Sequence, residues 1–388
     1  MEYNKILSKT VQEIKPSGIR RFFNLASEME NVISLGVGEP DFKTPWAVRR
    51  AGIHALEDGK TWYTANAGMV ELKNEISKYL SRRFQLNYKS DELFVTVGGS
   101  EAIDMCIRAL VEPGDEVMVC EPSFVCYSPI AALSHAKVVP IATKAENGFS
   151  LTPEELKAAI SPKSKLLILP FPSNPTGGIM TKEQLEAIAE VLRGTDIMVL
   201  SDEIYAELTY NGIKHTSLAN IPDMWERTIV VNGFSKAYAM TGWRLGYACG
   251  PKPIIDQMLK IHQYAVMCAP TVSQLAAIVA MKNCDDAIVE MRDEYDMRRR
   301  MLVDRLNAMG LTCFEPRGAF YVFPCIKSTG MTSAEFCERL LNAKRVAVIP
   351  GDAFGECGEG YIRISYSYSM EHLMTALERI ADFLKEIK

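Results

Sequence analysis

The sequence predicts an α/β protein, with a mostly parallel central sheet covered by helices and a smaller α/β unit after it. Three observations carry this. Short, continuously apolar runs recur at 116–120, 137–141, 165–169, 197–200, 228–231 and 245–249, and strands without alternation belong to sheets buried on both faces. Helical patterns separate most of them, as at 153–160 behind Thr152 and 182–192 behind Thr181, the alternation of a parallel sheet. From residue 285 the character changes. A long charged helix at 285–307, whose charges read as a solvated face, is followed by strand-like 319–323, 346–349 and 361–366, a helix at 333–341 and a C-terminal amphipathic helix. The division expected is an N-terminal arm, 1–40, that joins the small unit, a large unit at 41–284 and the small unit at 285–388.

A chain of 388 residues, 48% hydrophobic and 23% charged, has the length for two units with a sizeable core and the composition of an ordinary globular protein. A net charge of -5 from 43 basic and 48 acidic residues of interspersed sign argues against nucleic acid as a partner. The opening MEYNKILSKTVQEIKPSG has no apolar core, and no apolar run reaches spanning length, so the expectation is a cytoplasmic protein without a membrane partner. Of ten cysteines, Cys106, Cys120, Cys249, Cys268 and Cys325 lie in apolar stretches and no CxxC pair occurs. They read as reduced core thiols, not as disulfides or metal ligands.

In chain order, the strand-like 32–35 leads into GVGEPDF, where Gly36 and Gly38 permit tight turns and Pro40 stops regular structure. A helix at 45–58 follows. Tyr63 precedes a small-residue loop and a helix marked by Leu72, Ile76, Tyr79 and Leu80; taken alone it is a core-edge aromatic. The run 93–97 ends in Gly98-Gly99-Ser100, with a helix expected at 101–111. Strand, glycine turn and helix N-terminus make an anion site, because free N–H groups and the helix dipole point at one spot. Ser100 can cap that helix or donate to the anion. EPSFVCY puts Phe124 in a turn behind a strand, by default a core aromatic. LPFPSNPTGG is an irregular loop that presents the Asn174 amide. Asp202 closes an apolar run, with Tyr205 three residues on. A carboxylate that deep must be paired or protonated, unless it caps a helix. Glu203 reads as a surface or supporting residue. In YIRISYS, Arg363 stands mid-strand among apolar neighbours; its fork wants a planar carboxylate, from the protein or from a ligand. Ligands of such sheets bind beyond the carboxyl ends of the strands, where Phe124, Asn174, Asp202 and Lys236 all fall.

Lys236 lies in VNGFSKAYAMTGWRLG, in a small polar turn between two apolar runs. A buried lysine needs a carboxylate or a covalent partner. Desolvated beside another cation it becomes a nucleophile towards carbonyls, and Arg244, eight residues on, is placed to be that cation and half of a phosphate clamp.

The run SKAYAMTGWRLGY, together with SNPTGG, resembles class I and II aminotransferases, fold-type I enzymes that use pyridoxal 5'-phosphate. The resemblance covers about 33–365 with the motifs in family order. It implies that Lys236 carries the cofactor as a Schiff base and acts as the catalytic base. Ser235, Arg244 and the Gly98–Ser100 turn would hold the phosphate. Phe124 would stack on the ring, Asp202 would pair with its nitrogen, and Asn174 and Tyr205 would bond its phenolic oxygen. Arg363, Asn174 and the Gly38 backbone would bind the substrate carboxylate. Tyr63 would reach the partner's cofactor across a homodimer with shared sites. The reaction implied is ping-pong transamination between an L-amino acid, of aspartate or aromatic type, and a 2-oxo acid. A β- or γ-eliminating lyase or synthase, or a non-catalytic cofactor-binding sensor, would share the cofactor residues. The opening segment resembles the bacterial aspartate, aromatic and N-acetyl-diaminopimelate branch, in which Arg20 or Arg21 reaches a distal carboxylate or stays a solvated surface pair.

Overall fold

The computed structural model describes residues 1–16, 18–19 and 29–387; Arg20 and Arg21 lie outside the described residues. After the short β1 (Ile33–Ser34), seven strands build the large sheet: β2 (Leu93–Thr96), β3 (Glu116–Glu121), β4 (Lys137–Ala142), β5 (Ser164–Leu169), β6 (Met198–Asp202), β7 (Thr228–Gly233) and β8 (Gly246–Cys249). Their order is β2-β8-β7-β6-β5-β3-β4. The pairs from β4 through β7 are parallel, whereas β8 is antiparallel to both β7 and β2. The cause is local. A parallel return usually runs through a helix, and the connection from Phe234 to Leu245 forms only a short 3-10 turn, Thr241–Trp243, so the chain comes back antiparallel. That connection carries Ser235, Lys236 and Arg244.

Both faces of the sheet are covered. Leu166, Ile168, Leu200, Ile229 and Val231 pack to one side with the helix Gly99–Leu110, while Leu167, Leu169 and Val199 pack to the other with the helix Lys182–Leu192. Each such side chain contributes about 1.5–3 kcal/mol of burial, which is why these strands show no alternation in sequence. Thr152 with Glu155 and Thr181 with Gln184 form capping boxes, so the two helices begin where expected.

The small unit contains β9 (Tyr321–Val322), β10 (Val346–Ala347), β11 (Ile349–Pro350) and β12 (Ile362–Ser365). Its antiparallel sheet runs β11-β12-β9, and β1 pairs with β10 in parallel, tying the chain before residue 36 to the last hundred residues. The helix Asp285–Ala308 departs from expectation, because its charges are not all solvated. Arg298 and Arg299 are 5% and 0% exposed and share the buried stripe with Met291, Tyr295, Leu302 and Leu306. They sit there because each has carboxylate partners, Asp41 and Glu294 for Arg298, Asp296 and Glu315 for Arg299; without partners, guanidinium groups are not buried. All ten cysteines are free; Cys106, Cys120 and Cys249 are buried, but Cys268 and Cys325 are only half-buried and so are not core residues. Among the described residues no helix is long and apolar enough to cross a membrane.

Candidate active site

The carboxyl ends of β3, β5, β6 and β7 open onto one cavity of about 480 Å³. Each strand delivers one or two functional side chains from the loop behind it. Phe124 follows β3, Asn174 follows β5, Asp202 ends β6, and Ser235 with Lys236 follows β7. All of these line the cavity, as do Gly38, Gly99, Ser100, Tyr205, Arg244 and Arg363.

Lys236 Nζ donates to the Gly38 carbonyl at 2.5 Å and lies 5.7 Å and 5.4 Å from the Tyr205 and Phe320 ring centres. Burial lowers its pKa to about 8; Glu39 and Asp202 oppose the shift, and Arg363 and Arg244 add to it. The sequence suggested Arg244 as the depressing cation, yet desolvation dominates and Arg363 acts ahead of it. Asp202 is 7% exposed. Its Oδ2 accepts from the Tyr127 hydroxyl at 2.7 Å and its Oδ1 from the Ile204 N–H at 3.1 Å, and burial raises its pKa to about 6 against those two bonds. It ends a strand and caps no α-helix.

Arg363 is 3% exposed. Its guanidinium lies between the Tyr321 and Phe354 rings, 4.6 Å and 4.8 Å from their centres. One NH2 group donates to Asn174 Oδ1 at 2.8 Å, the other to the Gly36 carbonyl, and Nε has no partner among the described residues. Desolvation lowers its pKa. The structural ion pair left open by the sequence is absent among the described residues.

The other end of the cavity is the anion site. Gly98, at φ +77°, is the N-cap of the helix Gly99–Leu110, so the helix begins two residues earlier than expected. Ser100 therefore does not cap it; it stands in the first turn, exposed and facing the cavity. Arg244 adopts the left-handed region at φ +51°, uncommon for a side chain of its size, and donates to the Thr241 carbonyl at 2.9 Å. A Cβ on Gly98 would stand 2.6 Å from its guanidinium, so glycine is what lets the arginine lie along the turn.

Two predicted residues stay outside the cavity lining. Gly98 acts only through Arg244 and the helix start. Tyr63 is 74% exposed and sits in a separate hollow with Trp62 and Val97, on the outer surface of this chain. Of the two readings left open for Glu203, the supporting one holds: 1% exposed, it accepts from Ser201 and Ser217 at 2.7 Å and 2.5 Å and lies 2.9 Å from His215. Sequence reasoning also missed Tyr127, which holds Asp202, and Tyr321, which bonds the Tyr205 hydroxyl at 2.9 Å and covers Arg363. Tyr127 carried a signal, three residues after Phe124 in EPSFVCY; Tyr321 looked like any core aromatic.

The charges divide in an informative way. Among the described residues eight Asp, Glu and Arg side chains are buried: Glu75, Glu116, Asp202, Glu203, Glu207, Arg298, Arg299 and Arg363. Six have a basic or acidic partner within ion-pair distance. Among the described residues Asp202 and Arg363 hydrogen-bond only neutral partners, and both face the cavity. A buried charge left without a counter-charge costs several kcal/mol, so these two mark where a ligand of opposite charge belongs.

Comparison with known proteins agrees. The model of the family "Aminotransferase class I and II" matches residues 30–380. YugH of Bacillus subtilis, itself named only provisionally as an aminotransferase, is 54% identical over 97% of this chain and 98% of its own. The aspartate aminotransferase of Pyrococcus abyssi is 44% identical over 98% and 99%. The crystal structure of the aromatic aminotransferase from Pyrococcus horikoshii superposes with a TM-score of 0.90 at 43% identity, covering 95% of this chain and 99% of that one. The chain belongs to the class I and II aminotransferases, enzymes that move an amino group between an amino acid and a 2-oxo acid.

Proposed function

We propose that this aminotransferase uses pyridoxal 5'-phosphate, held at the sheet's carboxyl edge, and exchanges amino groups between an L-amino acid of aspartate or aromatic type and a 2-oxo acid by a ping-pong route. The observation that carries the reading is the pair of buried charges without an ion-pair partner among the described residues, Asp202 and Arg363, on one cavity that a lysine of lowered pKa also lines. The residues fit the cofactor's chemistry. The Gly98–Ser100 helix start, Ser235 and Arg244 would hold its phosphate, Asp202 would pair with its basic ring nitrogen, and Lys236 would bond its aldehyde carbon. When bound, the cofactor supplies an electrophilic carbon for amines and a ring that draws electrons from the bond to be broken.

The chain's own residues do the rest. Asp202, kept in place by Tyr127, holds a proton on the ring nitrogen. Phe124 covers one ring face, and Tyr205 and Asn174 donate to the phenolic oxygen. Arg363, flanked by Asn174 and the Gly36 carbonyl, grips the α-carboxylate in two places and so fixes the direction of the Cα–H bond. Lys236, with a pKa near 8, has an appreciable neutral fraction near neutral pH and takes the proton from Cα. The names of the relatives, aspartate and aromatic alike, support the two substrate types. We further assign residues 1–40 as an arm, 41–284 as the cofactor-binding unit and 285–388 as the small unit, in a cytoplasmic homodimer whose exposed Tyr63 completes the partner's site. A spectroscopic screen of twenty amino acids against the purified, cofactor-loaded protein identifies the donor. Replacing Lys236 with Ala should remove the absorbance band of the lysine-linked cofactor and lower turnover by orders of magnitude; a near-normal rate in that variant ends the proposal.

A further inference from the structure

The loop 36–44 is strung between the two basic groups of the site. At its start, Leu35 accepts from the Ser365 N–H at 2.9 Å, on the strand that carries Arg363. At its end, Thr44 donates to the Ala239 carbonyl at 2.6 Å and accepts from Trp243 Nε1 at 3.1 Å, on the turn that carries Lys236. Between these anchors the loop offers one carbonyl to each group, Gly36 to Arg363 and Gly38 to Lys236. It runs so close to Tyr321 that a Cβ on Gly38 would overlap the tyrosine hydroxyl.

Near its middle, Asp41 is gripped by a residue from a distant helix. Arg298 NH1 lies 2.9 Å and 2.8 Å from the two Asp41 carboxylate oxygens and 3.4 Å from the Tyr366 carbonyl, immediately beyond the strand of Arg363. Its Nε is held by Glu294 at 3.0 Å, and its guanidinium centre lies 5.4 Å and 5.6 Å from the Phe42 and Tyr295 ring centres. Arg298 is thus immobilised from several sides and contacts both the loop and the strand end. An ion pair meant only for stability needs no contact with either.

We propose that Asp41 and Arg298 are positioning residues for substrate binding: by fixing the height of the loop they set the Gly36 carbonyl, and through it the aim of Arg363. Neither side chain lines the cavity, so neither touches substrate. The argument rests on the functional reading above, in which Arg363 receives the α-carboxylate. With Asp41 released, the loop keeps its two ends but not its depth, and Arg363 loses the acceptor that orients one side of its fork.

The test uses the cofactor-loaded enzyme and two substitutions, Asp41→Asn, which keeps shape and removes charge, and Asp41→Glu, which keeps the pair. Asp41→Asn should raise KM for both the amino acid and the 2-oxo acid about tenfold or more while kcat changes less than about threefold. Asp41→Glu should stay within about threefold of wild type in both constants. Calorimetric binding of the accepted 2-oxo acid to the cofactor-free protein should weaken by the same factor as KM. Should Asp41→Asn fail to fold, Arg298→Lys takes its place with the same expectation. A variant that melts earlier but binds the oxo acid as tightly as wild type overturns the positioning role. Absence of transamination in the wild type would instead defeat the functional reading, so the two failures are distinguishable.

Discussion

Replacing Arg363 probes the site at its most constrained point. The fork spends one donor on Asn174 Oδ1 and another on the Gly36 carbonyl, leaves Nε without a partner among the described residues, and is held flat by Tyr321 and Phe354. A carboxylate arriving there takes two parallel charge-assisted bonds, each worth about 1.5–3 kcal/mol. Arg363→Lys keeps the charge but loses the second bond, so kcat/KM for the amino acid should fall roughly 10- to 150-fold. Arg363→Ala leaves the substrate carboxylate unpaired in a buried site; at about 3–5 kcal/mol the loss becomes roughly 10²- to 10⁴-fold. The decisive assay adds the amine that lacks the α-carboxylate. Wild type should discriminate against it by the full factor, and Arg363→Ala should barely discriminate at all, since the interaction is missing from both sides of the cycle. If Arg363→Ala still prefers the acid over the amine as strongly as wild type does, the carboxylate binds elsewhere and the reasoning fails.

Two further outcomes follow from the same geometry. Asp202 has a pKa raised to about 6 by burial, so the folded, cofactor-free protein holds that proton more tightly than the unfolded chain. Its ionised carboxylate therefore opposes folding above about pH 6, and the penalty, on the order of 2–3 kcal/mol, disappears as pH falls to about 4. Cofactor-free Asp202→Asn should melt above wild type at pH 8 and with it near pH 4, while the loaded variant loses roughly 10²-fold or more in turnover; melting curves that do not converge at low pH would contradict the assignment. If Tyr63 completes the partner's site, mixing Tyr63→Ala with Lys236→Ala subunits should restore about a quarter of wild-type sites through hybrid dimers, and activity no greater than the sum of the separate variants would refute sharing.

The sheet was legible because its strands are buried on both faces. Runs such as 165–169 and 228–231 have no amphipathic reading to compete with, and Thr152 and Thr181 announce their helices chemically. The helix Thr271–Asn283 was not legible, for a related reason. It buries Ser273, Gln274, Ala276, Ala277, Ile278, Ala280 and Met281, so no polar face marks its period. At the site, Lys236, Asp202, Asn174 and Arg363 could be named because ionisable or amide groups among apolar residues need a reason. Tyr321 could not, because an aromatic in an apolar run is already explained by packing, and the signal at Tyr127, its spacing from Phe124, was not taken up. Arg299 was misread because burial of its charge depends on a partner beyond its own helix, Glu315, sixteen residues on, added to Asp296 one turn away; the sequence left Glu203 between surface and support because His215 is twelve residues away.

That contrast bears on how the cavity stays receptive. Arg298 and Arg363 are buried arginines of one chain, each with aromatic rings near its guanidinium. Arg298 is given carboxylates, and its charge is neutralised in place. Arg363 is given an amide oxygen, a peptide carbonyl and two rings, partners that reduce the desolvation penalty while leaving the charge uncancelled. Asp202 is treated in the same way by a phenol and a peptide N–H. Were a protein carboxylate to pair with Arg363, a substrate would have to displace it and would gain only the difference between two similar interactions. Neutral partners avoid that competition and still fix direction, which a bare cavity could not do. The free protein is less stable for it, and the loss is recovered when a ligand brings the missing charges.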